Sequence, residues 1–133
     1  MVHKYDLRVR YSDTDKMQRL HHAAYVEYLE VVRIEFLRCL GISYDALEQS
    51  GYLLPVSKLR LNYRQGARYD EVLTFETRVV LDSRVRLTFR SEIRTTNAEI
   101  ATAEVELACI DGVHHRPCKM PDELFEALQN ASS

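Results

Sequence analysis

From Leu59 to Cys109 apolar residues recur at every second position, in runs whose later links are too short to hold a helix. Leu59, Leu61 and Tyr63 form one run; Leu73, Phe75, Thr77, Val79 and Leu81 a second; Val85, Leu87, Phe89 and Ile93 a third; Ala101, Ala103, Val105, Leu107 and Cys109 a fourth. Period two marks a strand with one buried face. A parallel neighbour would need a crossover of about a dozen residues, and Asp82-Ser83 and Thr96-Asn97-Ala98 offer far fewer. These strands are therefore expected to fold back on one another as antiparallel hairpins, ending at Asp111-Gly112. One more strand is predicted over about His3 to Tyr11, where Tyr5, Leu7, Val9 and Tyr11 alternate with Asp6, Arg8 and Arg10.

Between the first strand and the others the period changes. From Ala23 to Leu40, Tyr25, Leu29, Val32, Phe36 and Cys39 recur at helical spacing, with Glu27, Glu30, Arg33 and Arg38 between them. Gly41 ends this long helix, since glycine takes the left-handed closing conformation at low steric cost. A short helical turn is expected over Tyr44 to Gln49, and a last helix from Pro121-Asp122-Glu123 to about Ala131. One long helix beside about five antiparallel strands predicts an α+β layering in which the sheet wraps the helix's apolar stripe. No repeat, low-complexity tract or linker divides the 133 residues, so residues 1–133 are expected to form a single domain. Sheet edges in so small a chain invite pairing with a second copy, which predicts a homodimer with joined sheets.

The formal charge of −2 gives no bulk attraction to nucleic acid or to an anionic membrane, so neither is expected as a partner. The first residues lack a signal peptide's apolar stretch and no segment has the apolar length of a membrane span, which predicts a cytoplasmic protein. Cys39, Cys109 and Cys118 are an odd number of thiols and are read as reduced.

The loop into the long helix concentrates chemistry: Tyr11-Ser12-Asp13-Thr14-Asp15 runs through Lys16 to Leu20 into His21-His22. A carboxylate near a helix's first turn sits beside unpaired backbone N–H groups, which stabilise an anion forming there. Asp15 is thus a candidate nucleophile or base; on spacing alone, turning the chain and capping the helix is the commoner use of residues such as Asp13, Thr14 and Asp15. His114, His115 and Cys118 match no zinc spacing and have no second cluster, so no metal is expected. A Gly-x-Ser-x-Gly elbow, a P-loop and a dinucleotide fingerprint are all absent. Arg84, Arg86, Arg90 and Arg94 alternate with apolar residues and are expected on the exposed face of one strand, as a solvated surface or a phosphate-binding stripe.

The segments Val9-Arg10-Tyr11-Ser12-Asp13-Thr14-Asp15, His22-Ala23-Ala24-Tyr25 and Tyr28-Leu29-Glu30-Val31-Val32-Arg33-Ile34-Glu35-Phe36-Leu37 resemble the hotdog-fold thioesterases. The similarity is to the 4-hydroxybenzoyl-CoA thioesterase family, in its YbgC-like and FadM-like acyl-CoA branch. Gly41-Ile42-Ser43-Tyr44, Pro55-Val56 and Arg68-Tyr69-Asp70-Glu71-Val72-Leu73 follow in the same order. The resemblance implies hydrolysis of an acyl-CoA thioester without a cofactor, CoA being part of the substrate. It implies Asp15 as the key carboxylate, with His22 and Tyr11 grouped beside it. It implies a carbonyl site at the amino end of the long helix, Tyr25, Arg84 and Arg86 as substrate-binding residues, and a dimer or dimer of dimers. An acyl-carrier-protein thioesterase and a non-catalytic acyl-binding or assembly module are the alternatives on the same fold. A thioester's thiolate is a good leaving group, so one carboxylate and an oxyanion site can suffice. One departure stands out: the family has glycine shortly after the acid, where this chain has Gln18-Arg19, which is expected to alter the loop's conformation.

Overall fold

A computed structural model of the chain describes residues 1–132. The elements in order are β1 (His3–Arg8), α1 (Ala24–Cys39), α2 (Tyr44–Gln49), β2 (Tyr52–Leu53), β3 (Val56–Tyr63), β4 (Val72–Leu81), β5 (Arg86–Arg94), β6 (Glu99–Ala108), β7 (Ile110–Asp111) and α3 (Asp122–Ser132). Five strands make one antiparallel sheet in the order β1-β4-β5-β6-β3. Strands β4, β5 and β6 form the meander that the short links predict.

Alternation decides the faces. Leu73, Phe75 and Val79 on β4, Leu87, Phe89 and Ile93 on β5, and Ala103, Val105 and Leu107 on β6 are all buried. They share one core with Tyr25, Leu29, Val32 and Phe36 of α1. Phe36 is fully buried and meets Phe89 edge-on at 5.4 Å; burying such a side chain contributes roughly 2–3 kcal/mol. Two hydroxyls sit on this inner face, and they satisfy each other: Thr77 and Ser91 are cross-strand partners 2.8 Å apart. The opposite face carries charge in facing rows, including Arg86 with Glu106 and Arg90 with Glu104, and Arg94 and Lys4 with Glu76.

Several boundaries differ from the sequence expectation. β1 stops at Arg8 instead of reaching Tyr11. The Arg10 N–H turns to the Tyr28 hydroxyl at 3.2 Å, and Tyr11–Asp13 form a 3-10 turn. β5 begins at Arg86, because the Ser83 hydroxyl accepts from the N–H groups of Val85 and Arg86 and folds that stretch into a turn. Arg84 therefore leaves the stripe of exposed arginines. Cys39, expected on the apolar side of α1, is exposed at the helix's last turn. β2 and β7 pair as a separate two-stranded ribbon, too short for any alternation to announce.

Candidate active site

The loop between β1 and α1 divides its two acids between different tasks. Asp13 Oδ2 accepts the Tyr28 hydroxyl at 2.7 Å and the Arg10 guanidinium at 3.0 Å. Arg10 and then Tyr28 hold its carboxyl below the ordinary carboxylate range. The Asp13 carbonyl also accepts the His21 N–H at 2.8 Å. Asp13 thus staples the strand end, the loop and α1 together.

Asp15 is held differently. Its Oδ1 accepts the backbone N–H groups of Met17, at 2.8 Å, and Arg19, at 3.2 Å. Its own N–H donates to the Arg19 carbonyl at 2.8 Å, and a bridge between Thr14 and Leu20 closes the loop below it. Its Oδ2 has no partner among the described residues, and the side chain is exposed. The carboxylate is oriented by two amides on one side and open on the other. Gln18 takes φ +62, the left-handed region that favours glycine, a conformation costing a residue with a side chain about 1–2 kcal/mol. Gln18 thus stands in a conformation that glycine would take without that cost.

α1 opens at Ala23, which offers no side-chain cap. The Ala23 N–H is taken by His21 Nδ1 at 3.1 Å, and the His21 and His22 rings stack at 4.2 Å. The His22 carbonyl accepts the Tyr63 hydroxyl at 3.1 Å, tying the helix entrance to the end of β3. Tyr63 meets Tyr25 edge-on at 5.2 Å. Tyr25 is buried, and that burial raises its phenol pKa against the pull of the Ala67 backbone. Leu20, His22, Tyr25, Tyr63 and Gly66 line a hollow of about 210 Å³ beside the helix start. A larger groove of about 370 Å³ lies among the charged side chains of the outer sheet face, including Arg60, Arg78 and Arg90.

His22 and Tyr25 share the hollow beside the helix start with Leu20, which the Thr14–Leu20 bridge ties to the loop of Asp15. Tyr11 joins them by backbone: its carbonyl accepts the Thr14 N–H and hydroxyl. Its ring is exposed and lies edge-on to Tyr69 at 5.6 Å, with no described contact to Asp15 or His22. Arg84 and Arg86 are elsewhere. Arg84 donates to the Met120 carbonyl and to Asp122, both at 3.0 Å, and its guanidinium lies 4.1 Å over the Phe125 ring, so it docks α3. Arg86 is on the outer face of the sheet, paired with Glu106 at 3.0 Å. Tyr28 and Tyr63, absent from the expected site, hold its two walls. Tyr63 had only its place in an apolar run to signal it, and Tyr28 only its place in a segment that carries the resemblance.

A sheet curled around one long helix, with an oriented acid on the loop into that helix, is the hotdog architecture of thioesterases. The chain belongs to the Thioesterase-like superfamily, whose profile matches residues 9–128. It is 30% identical over 122 residues to the acyl-CoA thioester hydrolase YbgC of Escherichia coli O6:H1, covering 91% of each chain. Among solved structures, the DHNA-CoA thioesterase of Staphylococcus aureus superposes with a TM-score of 0.88 at 31% identity, covering 97% of this chain and 91% of that one. The hypothetical protein TT1821 of Thermus thermophilus superposes with a TM-score of 0.90 at 32% identity, covering 96% and 98%.

Proposed function

We propose that this chain hydrolyses acyl-CoA thioesters to the free acid and CoA, with Asp15 as the carboxylate that drives the step. The observation that carries the assignment is the division of the two acids. Asp13 is consumed by Arg10 and Tyr28, whereas Asp15 is fixed through one oxygen and open through the other. As a general base, Asp15 takes a proton from water as the water oxygen adds to the thioester carbonyl. As a nucleophile, it adds to the carbonyl itself and forms an anhydride that water then opens. In both routes the carbonyl oxygen gains charge against the positive end of the α1 dipole, and the thiolate leaves. His22 lines the hollow beside that entrance and is assigned to orienting substrate or water. Tyr25 forms a wall of the acyl site. Tyr11, with its ring on Tyr69, is assigned to the substrate side. No cofactor enters this scheme.

The nucleotide end of CoA is assigned to Arg86, with Arg84 behind it at the turn. The assembly is assigned as a cytoplasmic homodimer or dimer of dimers, formed through β3. That edge strand leaves Val56, Leu59 and Tyr63 exposed, and a second copy would cover them. Among the described residues no helix is long and apolar enough to cross a membrane.

The test is thiol release from short, medium, long and aromatic acyl-CoAs, with Asp15→Asn as the control. Turnover lost in the variant supports the assignment; equal release by both proteins overturns it. Faster turnover of the same acyl group on a carrier protein would instead make the carrier the substrate. Single turnover in ¹⁸O-labelled water detects the nucleophilic route when water opens the anhydride at the Asp15 carboxyl carbon, because the label then enters Asp15 and the product stays unlabelled, an outcome that general-base attack cannot give.

A further inference from the structure

We propose that Cys109 and Cys118 form a dithiol site that closes to a reversible disulfide under hydrogen peroxide, clamping the 110–117 excursion to the end of β6. The inference is independent of the role given to Asp15. The two sulfurs stand 3.7 Å apart. Around them the chain folds back as a narrow ribbon: Asp111 donates to the Arg116 carbonyl at 2.9 Å and Cys118 to the Cys109 carbonyl at 3.0 Å, flanking a bridge between Ile110 and Pro117. In that register Cys109 and Cys118 are a facing pair. Facing hydrogen-bonded residues of antiparallel strands have Cα atoms about 5.5 Å apart, inside the roughly 4.4–6.8 Å that a disulfide spans. Side-chain rotation can bring the sulfurs to bonding distance, and the backbone is already placed.

Other uses of the pair fit less well. Among the described residues no group of three or more histidine, cysteine or acidic side chains is placed to hold a metal. The nearby His114 is turned to Asp111 at 3.3 Å. The pair also lies at the far end of β6 from Ala101, the residue that faces Tyr63, and so stands apart from the hollow beside α1. What it adjoins is the turn that docks α3. The Cys109 N–H donates to the Val85 carbonyl at 2.7 Å, and the Met120 N–H to the Arg84 carbonyl at 2.8 Å.

Accessibility sets the order of events. Cys109 is fully buried and Cys118 partly exposed. Burial, and then the adjacent Cys118 sulfur, push the Cys109 thiol up to about 12, so it stays protonated at neutral pH. Peroxide therefore meets Cys118 first. The Cys118 sulfur attacks one peroxide oxygen, an S–O bond forms as the O–O bond breaks, and the departing hydroxide leaves as water. The Cys109 sulfur then attacks the Cys118 sulfur; the S–S bond forms, the S–O bond breaks, and the second oxygen leaves as water with the Cys109 proton. Two thiols lose two electrons in total, and one peroxide becomes two waters. An added dithiol reverses the step by exchange.

The experiment treats the purified full chain with limiting peroxide, unfolds it in iodoacetamide, and maps it by mass. Trypsin does not separate the two cysteines readily, because Arg116 is followed by Pro117. A protease that cuts before Asp111 is used instead. We expect the intact mass to fall by two hydrogens, Cys39 alone to be alkylated, and the fragments on either side of Asp111 to travel together until reduced. The thermal midpoint should rise by about 5–10 °C, the effect of closing a loop of this length. Cys109→Ser should trap Cys118 as a sulfenic acid that dimedone labels, with no rise in midpoint. Alkylation of both Cys109 and Cys118 after peroxide, or a link from either one to Cys39, overturns the proposal. The mass map on the unaltered chain decides the matter even if the variant does not fold.

Discussion

Replacing Asp15 by asparagine separates charge from structure at a single atom. The amide oxygen of the new side chain can keep both loop contacts, from the Met17 and Arg19 N–H groups at 2.8 and 3.2 Å. The amide nitrogen then takes the place of Oδ2, which has no partner to lose among the described residues. Stability should change by no more than about 0.5 kcal/mol, a shift of about 2 °C in thermal midpoint for a domain of this size. Catalysis loses the group that accepts a proton or forms the bond. Removing such a group lowers kcat by about 10²–10⁴, so a fall of at least ~10², about 2.7 kcal/mol of barrier, is expected with little change in KM. Asp15→Ala should match that loss and also drop the midpoint by a few degrees, because the two loop amides lose their acceptor, at about 1 kcal/mol. Asp13→Asn should show the reverse balance, with a lower midpoint from the broken link to Arg10 and Tyr28 and a smaller loss of kcat. Thiol-release kinetics and thermal unfolding on the three variants supply every value. If Asp15→Asn turns over within about threefold of the parent, or if its activity falls only in step with its midpoint, the reasoning fails.

Three further outcomes follow from other parts of the molecule. Arg86→Ala should raise KM for acyl-CoA far more than it lowers kcat, and should leave a short thioester lacking the nucleotide unaffected, whereas Arg84→Ala should chiefly lower the thermal midpoint by loosening α3; equal losses on both substrates would move the CoA site elsewhere. His3 has a buried Nδ1 with no hydrogen-bond partner among the described residues, and burial lowers its pKa from 6.5 against the pull of Glu35. The unfolded chain therefore takes up a proton near that value that the folded chain refuses; stability should decline as pH falls from 6.5 toward the lower folded value, then level off. His3→Leu should flatten that decline in urea unfolding across the range, and an unchanged slope would remove His3 as its source. Leu59→Glu on the exposed edge of β3 should shift light scattering from dimer to monomer, and a dimer of unchanged affinity would place the contact on another surface.

The parts of this fold that could be read from the sequence are those where one face repeats. Leu73, Phe75 and Val79 announce β4, and Tyr25, Leu29, Val32 and Phe36 announce α1, because burial imposes the period of the element. What escaped was set by contacts between distant residues. β1 ends early because Tyr28, on another element, takes the Arg10 N–H. Arg84 kept the right spacing for an exposed stripe, yet Ser83 folds the chain there and turns its guanidinium onto Phe125. At the candidate site the acidic loop and its junction with the helix were legible as residue types. The division between Asp13 and Asp15 was not, since it depends on Arg10 and Tyr28 converging on only one of them. The tie from Tyr63 to the His22 carbonyl joins residues on β3 and at the α1 entrance, which no local pattern links.

The strand order has a further consequence, for the sequence of events as the chain is made. β4, β5 and β6 pair with one another in chain order, so this meander needs no distant segment to form. β1 cannot enter the sheet until β4 exists, because His3 is paired with Thr77 and Arg8 with Val72. The loop bearing Asp15 waits as well: Leu20 donates to the Ala67 carbonyl, and Val9 to the Glu71 carbonyl. On a ribosome, which releases segments in chain order, the candidate catalytic loop emerges before Ala67, Glu71 and β4, the segments that support it. Until then it is an unsupported acidic stretch beside an unpacked apolar helix, and a nascent chain halted before β4 carries every catalytic candidate without the frame that orients them.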